Sequence, residues 1–402
     1  MRNGKLSAPP AVVKREDGRW ITQVRKYRLI TPLFGGGVEA GKPDPITAVR
    51  GASVRGQLRF WWQATRAGHY PTLDALKQAE DCLWGAASKA GLVELAVEVL
   101  DEGQDEPPFE VRLNKRGNYQ AYSRSQIAPA YAAFPLQPDR DTLKAWDPET
   151  HVVTPLRVGV SFQLRLTYPA QPGQECAAVG ITDIAREVEA SLWAWECFGG
   201  VGARTRRGFG ALALTHIDGK EYVPPTAENL AEILANQYEQ HVLTTYRHDG
   251  IARLPKPPEQ LRLVTRPRQQ QPLWERPLDA WSHLINRLSD FRQWRDRASP
   301  ESPNQPGRSR WPEPDAIRME AKVHHPFHPP RLFMKKYPRA VFGLPIVVHF
   351  KDREDPEDYT IQGADSGFDR MASPLILRPY RCAADNGEGY IGLALVLEGD
   401  RL

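Results

Sequence analysis

Two stretches of this chain space their apolar residues for helices, and each is bounded by stretches that alternate as strands do. In residues 52–67, Val54, Leu58 and Trp61 or Trp62 fall at i, i+4 and i+7 or i+8, which makes one buried stripe. In residues 182–198, Ile184, Val188, Leu192 and Trp195 do the same, with Thr182 as the expected N-cap and Gly199-Gly200 as the stop. A further helix is expected over 73–84. Strand patterns occupy 21–34, 92–100, 156–168 and the ALALTHI run at 211–217. The order strand, helix, strand, strand, helix, strand is the split βαβ arrangement of ferredoxin-like folds. The fold class is therefore read as α+β.

At 402 residues the chain exceeds one ordinary core, and a second round of the same pattern is expected. Residues 225–245 read as a connecting helix and 260–265 as a strand. Residues 279–297 read as an amphipathic helix, with Trp281, Leu284, Ile285, Leu288 and Phe291 on its buried side. Strands are expected at 340–350, 372–380 and 388–398, and a Pro- and Arg-rich loop at 298–318. The reading is two tandem βαββαβ units with insertions, residues 1–220 and 221–402. Residues 101–151, rich in charge, Pro and Tyr, form a long insertion in the first unit. A loop of that length inside a compact domain is usually functional or disordered.

Charge is more informative by position than in sum. The formal net charge is only +4, yet residues 45–73, 111–138, 199–217 and 321–351 contain no Asp or Glu. Local positive charge of this kind binds polyanions through counterion release. The four cysteines form no CxxC pair, which points to a reduced, cytoplasmic protein without a zinc ribbon or disulfide framework. No apolar run approaches a membrane span, and residues 1–20 lack a signal-peptide core. No membrane partner is expected.

Two segments carry the chemistry. The first is FGGVGARTRRGFG at 198–210. Gly200, Gly202 and Gly208 permit positive φ and close backbone approach, while Arg204, Arg206 and Arg207 supply forked donors suited to phosphate. It lacks Gly-Lys-Ser/Thr and follows a helix rather than opening one, so it is no Walker loop. The second is TPLFGGG at 31–37 followed by VRGASVRGQLRFWW at 49–62. Here Gly35, Gly36 and Gly37 precede a helix start carrying Arg50, Arg55 and Arg59. Trp61 and Trp62 offer base-stacking area, but residues of this size are more often core.

These segments resemble the RAMP (repeat-associated mysterious protein) superfamily of CRISPR systems, whose signature glycine-rich loop is similar to 198–210. GRSRWPEPDAIR (307–318), YPRAVFGLPIVVHF (337–350) and RMASPLILRPY (370–380) narrow the resemblance to the first Cmr subunit family of type III-B effector complexes. The resemblance implies two tandem ferredoxin-like, RRM-related domains. It also implies a non-catalytic subunit near the guide RNA 3′ end that helps capture complementary target RNA. Its implied partners are guide RNA, target RNA and other RAMP-type subunits. No cofactor is implied. The expected RNA contacts are Gly35, Gly36, Gly37, Arg50, Arg55, Arg59, Gly200, Gly202, Arg204, Arg206, Arg207, Gly208, Arg308 and Arg310.

Two alternatives stand beside this reading: an endoribonuclease that processes guide RNA, and a scaffold whose arginines serve subunit contacts. For the first, His69, His151 or His324 would be the general base, but none has a recognisable partner in sequence. His324, His325 and His328 are interleaved with prolines that forbid the helix needed to align them on a metal. The run Asp352, Glu354, Asp355, Glu357, Asp358 reads as a charged turn.

Overall fold

Alternation along the strands decides which residues meet the helices, and this fixes the layering. The computed structural model describes residues 18–37, 41–44, 47–257, 259–267, 272–295, 309–323, 337–350, 355–363, 370–385 and 387–399. Strand β1 (Trp20–Leu29) leads to helices α1 (Gly51–Arg66) and α2 (Leu73–Trp84), then to strands β2 (Glu94–Asp101), β3 (Gln104–Glu106), β4 (Phe109–Leu113) and β5 (Tyr119–Ser123). Helices α3 (Ala130–Ala133) and α4 (Arg140–Lys144) precede strands β6 (Leu156–Val158) and β7 (Ser161–Pro169). Helices α5 (Gln174–Ala178) and α6 (Ile184–Phe198), strands β8 (Leu212–Ile217) and β9 (Lys220–Glu221), and helix α7 (Leu230–His241) follow. Beyond them lie β10 (Leu261–Val264), α8 (Pro277–Gln293), α9 (Glu313–Glu320), β11 (Ile346–Val348), β12 (Tyr359–Ile361), β13 (Leu375–Ala384) and β14 (Gly387–Val396).

The first sheet has the order β2-β7-β1-β8-β9, with its pairings antiparallel. Tyr27 faces Phe162 in register, and their rings stack at 5.2 Å. That inner face, with Leu29, Leu164 and Leu166, meets Leu58 and Trp62 of α1 and Leu192 and Trp195 of α6 in one core. Trp61 and Trp62 are 2% and 0% exposed, so they are core residues and offer no surface to a base. Helix α2 occupies the residues expected of it. The N-cap of α6 is Asp183, whose carboxylate accepts the Arg186 N–H at 3.1 Å, rather than Thr182. The strand expected over 156–168 is two, β6 and β7, separated at Gly159, where φ is +88°.

The second sheet has the order β10-β14-β13, with α8 packed across β13 and β14. Ile376, Ile391 and Leu393 from this sheet join the same core as Leu212 and Leu214, so one hydrophobic core spans both sheets. Three expectations need correcting. Of 340–350 only Ile346–Val348 is strand, and it pairs with β12 in a separate two-stranded sheet. Pro338–Phe342 is instead a 3-10 helix. Glu313–Glu320, expected as loop, is α9, with Pro312 at its N-cap. After β14 the described residues contain no further helix and strand, so this half shows βαββ rather than the full βαββαβ.

The insertion at 101–151 is folded. The hairpin β4–β5 and helix α3 place Phe109, Ala132 and Ala133 against Phe209 of the glycine-rich loop and Trp281, Leu284 and Ile285 of α8. A disulfide joins Cys82 to Cys176, with Cα atoms 5.9 Å apart. This corrects the expectation of none: the two lie 94 residues apart in sequence, and contact between α2 and α5 brings them together.

Candidate nucleic-acid interface

The open face of the first sheet is the surface an RRM would use, stacking bases on aromatic side chains. Here it presents Thr22, Val24, Lys26 and Arg28 beside Ser161, Gln163, Arg165 and Thr167, with Glu94, Ala96 and Glu98 on the outer strand. Trp20, at the first residue of β1, is the one aromatic on those three strands' outward positions. The acids and the missing platform direct attention to the loops instead.

The two glycine segments lie side by side. Ala203 N–H donates to the Phe34 carbonyl at 2.8 Å, and Gly210 N–H to the Pro32 carbonyl at 2.9 Å. Gly35 and Gly36 have φ of +63° and +103°, and Gly37 N–H closes the turn on the Lys42 carbonyl at 2.9 Å. The close approaches that glycine permits are to the protein itself. A Cβ on Gly202 would stand 2.7 Å from the Phe34 carbonyl oxygen, and one on Gly208 2.4 Å from Trp281 Nε1. Gly200 pairs with Ala211 in an isolated bridge. The glycines thus shape the loop, and the arginines are what it displays.

Four side chains lock that shape. Trp281 Nε1 donates to the Arg207 carbonyl at 2.7 Å, Thr31 Oγ1 to the Gly208 carbonyl at 2.7 Å, and Trp195 Nε1 to the Gly200 carbonyl at 3.1 Å. Arg378, 1% exposed, donates to the carbonyls of Glu196 at 3.0 Å, Gly199 at 2.7 Å and Leu212 at 2.6 Å. Burial pulls its guanidinium down to about 10. Arg204 sits at φ +57°, a left-handed conformation that costs a non-glycine residue about 1–3 kcal/mol and is tolerated where the surroundings enforce it.

Arg204 and Arg207 converge with Arg292, in the last turn of α8, and with Tyr131 of the insertion. Burial lowers the Arg207 guanidinium to about 10, and the charges of Arg292 and Arg204 add to the effect. Arg204 is lowered by the same burial, with Arg292 contributing. Among the described residues no carboxylate pairs with Arg204, Arg207 or Arg292. Arg207 spends one donor on the Leu375 carbonyl at 3.0 Å, and Arg206 one on Ser373 at 2.6 Å while its plane lies over Phe60. A cleft of about 390 Å³ opens beside Arg204, lined by Phe34, Gly41, Lys42, Pro135, Leu136 and Thr154. By accessible surface Arg204 is exposed and Arg207 and Arg292 are half-buried, so the cluster is a partly solvated set of like charges, an arrangement whose field suits a polyanion.

Not every expected residue is here. Arg50 stays nearby, donating to the Gly37 carbonyl at 3.4 Å. Arg55 turns to the carbonyls of Trp84 and Val93, and Arg59 pairs with Glu80 at 2.8 Å and Asp81 at 3.8 Å, away from the loop. Arg310 lies over Trp294 at 6.0 Å. Arg308, His324, His325 and His328 lie outside the described residues. His151 Nδ1 accepts the Asp147 N–H and its ring packs on Trp146, closing a turn. Asp355, from the carboxylate run, holds Arg318 at 2.6 Å. Sequence reading marked Tyr131 only as one of the tyrosines interleaved in the basic window 111–138, and missed Arg292, Lys42 and Arg378. Arg292 could have been noticed as a basic residue in a helix's last turn. The other two had no local signal.

Residues 26–213, which contain both glycine segments, match the family model of the RAMP superfamily. The chain is 27% identical over 186 residues to the CRISPR system Cmr subunit Cmr1-2 of Pyrococcus furiosus, covering 46% of this chain and 89% of that protein. It is also 27% identical over 168 residues to Cmr1-1 of the same organism, covering 41% of this chain and 40% of that one. Among solved structures, a chain of the type III-B Cmr-beta complex bound to cognate target RNA superposes with a TM-score of 0.50. That superposition has 11% identity and covers 94% of each chain. It speaks for a shared mixed α/β fold built on antiparallel sheets.

Proposed function

From a chain whose residues 26–213 match the RAMP superfamily, we propose a non-catalytic RNA-binding subunit of a type III-B CRISPR effector complex. In this reading it sits near the guide RNA 3′ end and helps capture complementary target RNA beside other RAMP-type subunits. In this reading the chain divides into two units related to the ferredoxin-like fold, residues 1–220 and 221–402, the second of which shows βαββ among its described residues. The relatives named as Cmr subunits support the assignment. The single observation that carries it is the cluster of Arg204, Arg207 and Arg292, which has no carboxylate partner among the described residues and borders the cleft lined by Arg204 and Lys42.

The grip is to phosphates, so it carries no sequence information. Sequence is read by pairing to the guide. Each phosphate neutralised on a single strand adds about −0.7 to the slope of log affinity against log salt, so three arginines supply a slope of about −2. Replacing Arg204, Arg207 and Arg292 with Gln should flatten the slope by that amount, measured by fluorescence anisotropy on a labelled RNA. Arg59→Gln should leave the slope alone, because its guanidinium is held by Glu80. An unchanged slope in the triple variant overturns the proposal. Nucleotide-resolution crosslinking of the assembled particle tests the location, with contacts confined to the guide 5′ half counting against it.

A further inference from the structure

The cation cluster does not end at Arg292. The residue before it, Phe291, was expected on the buried side of α8, yet it is 45% exposed, and Trp294 is 46% exposed. Phe291 and Trp294 flank Trp311, each meeting it edge-on at 5.1 Å. The arrangement is held by backbone: Arg310 N–H donates to the Trp294 carbonyl at 2.8 Å, and Trp311 Nε1 to the Phe291 carbonyl at 2.9 Å. Phe342 also meets Phe291 edge-on, at 5.5 Å. Two aromatic rings, each about half exposed, therefore stand beside Arg292, Arg295 and Arg310, with the Arg310 guanidinium 6.0 Å over the Trp294 ring.

Exposed apolar area of this kind marks an interaction site. Its surroundings select the occupant. Arginines and aromatic rings also occur together at protein interfaces; what favours RNA is that these rings stand on the helix end that carries Arg292, next to the cluster suited to phosphates. Alternating cations and aromatic faces along one track is the arrangement that binds single-stranded nucleic acid, because every base has a π-face. A paired base shows no free face and would not engage.

We propose that Phe291 and Trp294 stack on unpaired bases of an RNA strand whose phosphates are held by Arg204, Arg207 and Arg292. The proposal rests on the RNA-binding reading above and adds that the strand is single-stranded where it crosses the end of α8. The test uses the purified full chain with a fluorescein-labelled uridine 12-mer, alone and annealed to its complement. Trp294→Ala should weaken binding of the single strand about tenfold at every salt concentration, without changing the salt slope, since stacking releases no counterions. Trp294→Phe should keep most of the affinity, and Phe291→Ala, a second variant at the same patch, should lose a similar factor. Duplex binding should not change. A 12-mer carrying 2-aminopurine should be quenched by the wild type and less so by Trp294→Ala.

The outcomes separate the two readings. If both aromatic variants bind the single strand as the wild type does while the arginine variants lose affinity, stacking is refuted and the phosphate grip survives. If neither set loses affinity, or the wild type does not bind the 12-mer at low salt, both readings fall. Aromatic variants that bind RNA normally but no longer co-purify with partner subunits would assign the patch to a protein and overturn the proposal.

Discussion

Arg378 offers the sharpest test of how the loop is held. Its guanidinium comes from β13 in the second sheet and reaches the carbonyls of Glu196 and Gly199, where α6 ends, and of Leu212, where β8 begins. It therefore clamps both ends of the glycine-rich loop from the other half of the chain. Replacing it with Met keeps much of the volume and removes every donor. Each carbonyl left buried without a partner costs about 1–3 kcal/mol, or about 6 kcal/mol for the three. Against this, the buried charge is relieved: lowering from 12.5 to about 10 corresponds to about 3 kcal/mol. The net expectation is a loss of about 3 kcal/mol, read as a lower urea midpoint.

A global loss alone would not show that Arg378 positions the loop. Amide exchange adds that readout. The N–H groups of Val201 and Gly210, which close the loop on Gly210 and Pro32, should exchange faster in Arg378→Met by more than the global change explains. RNA affinity should fall while the salt slope holds, because no phosphate-facing cation is removed. Arg378→Lys should recover only part of the stability, since an ammonium cannot span three carbonyls that a planar fork reaches at once. A Met variant within about 0.5 kcal/mol of the wild type would refute the reasoning, because surface-like tolerance is incompatible with three stranded acceptors.

Three further outcomes follow. Arg207 loses its proton near pH 10 when free, and a bound phosphate raises that value. The complex therefore holds a proton that the free protein gives up: affinity is full below about 10 and falls as pH rises through it. Titration with a 2′-O-methyl oligonucleotide, which resists base, should show the fall in the wild type and less of it in Arg207→Ala. Gly208→Ala should destabilise by at least about 1–2 kcal/mol in thermal melting, given φ of +87° and Trp281 Nε1 at 2.4 Å, whereas Gly56→Ala in the open face of α1 should stabilise by about 0.5–1 kcal/mol. Denatured, unreduced protein should show two titratable thiols, Cys197 and Cys382, and reduction should cost about 2–4 kcal/mol of stability.

Where one element supplies its own burial pattern, the sequence was readable. The stripe Val54, Leu58, Trp62 defines α1 because all three meet one sheet face, and α2 begins at a Thr72 cap that accepts the Ala75 N–H. The hairpin at 109–123 had a usable signal that went unread: Phe109, Val111 and Leu113 alternate up to a turn at Asn114–Gly117, where Gly117 takes φ of +74°. Phe291 shows the limit of periodicity. It continues the α8 stripe after Leu288, yet a stripe records only direction, and this residue stands exposed where Trp281, Leu284, Ile285 and Leu288 are buried.

Charge was harder to read, for a reason that Arg59 and Arg204 expose together. Both lie in windows free of Asp and Glu, so the sequence treats them alike. Arg59 is on a helix whose neighbour α2 begins a few residues later, and the last turns of α2 carry Glu80 and Asp81 into reach. Arg204 is on a loop whose neighbours come from residues 131, 292 and 375, and each of those contributes a tyrosine, another arginine or a backbone carbonyl. An acid-free window is thus a property of one dimension. It can hold a polyanion only where the fold also keeps acids away in the other two, and among the described residues that condition is met around Arg204 and fails at Arg59.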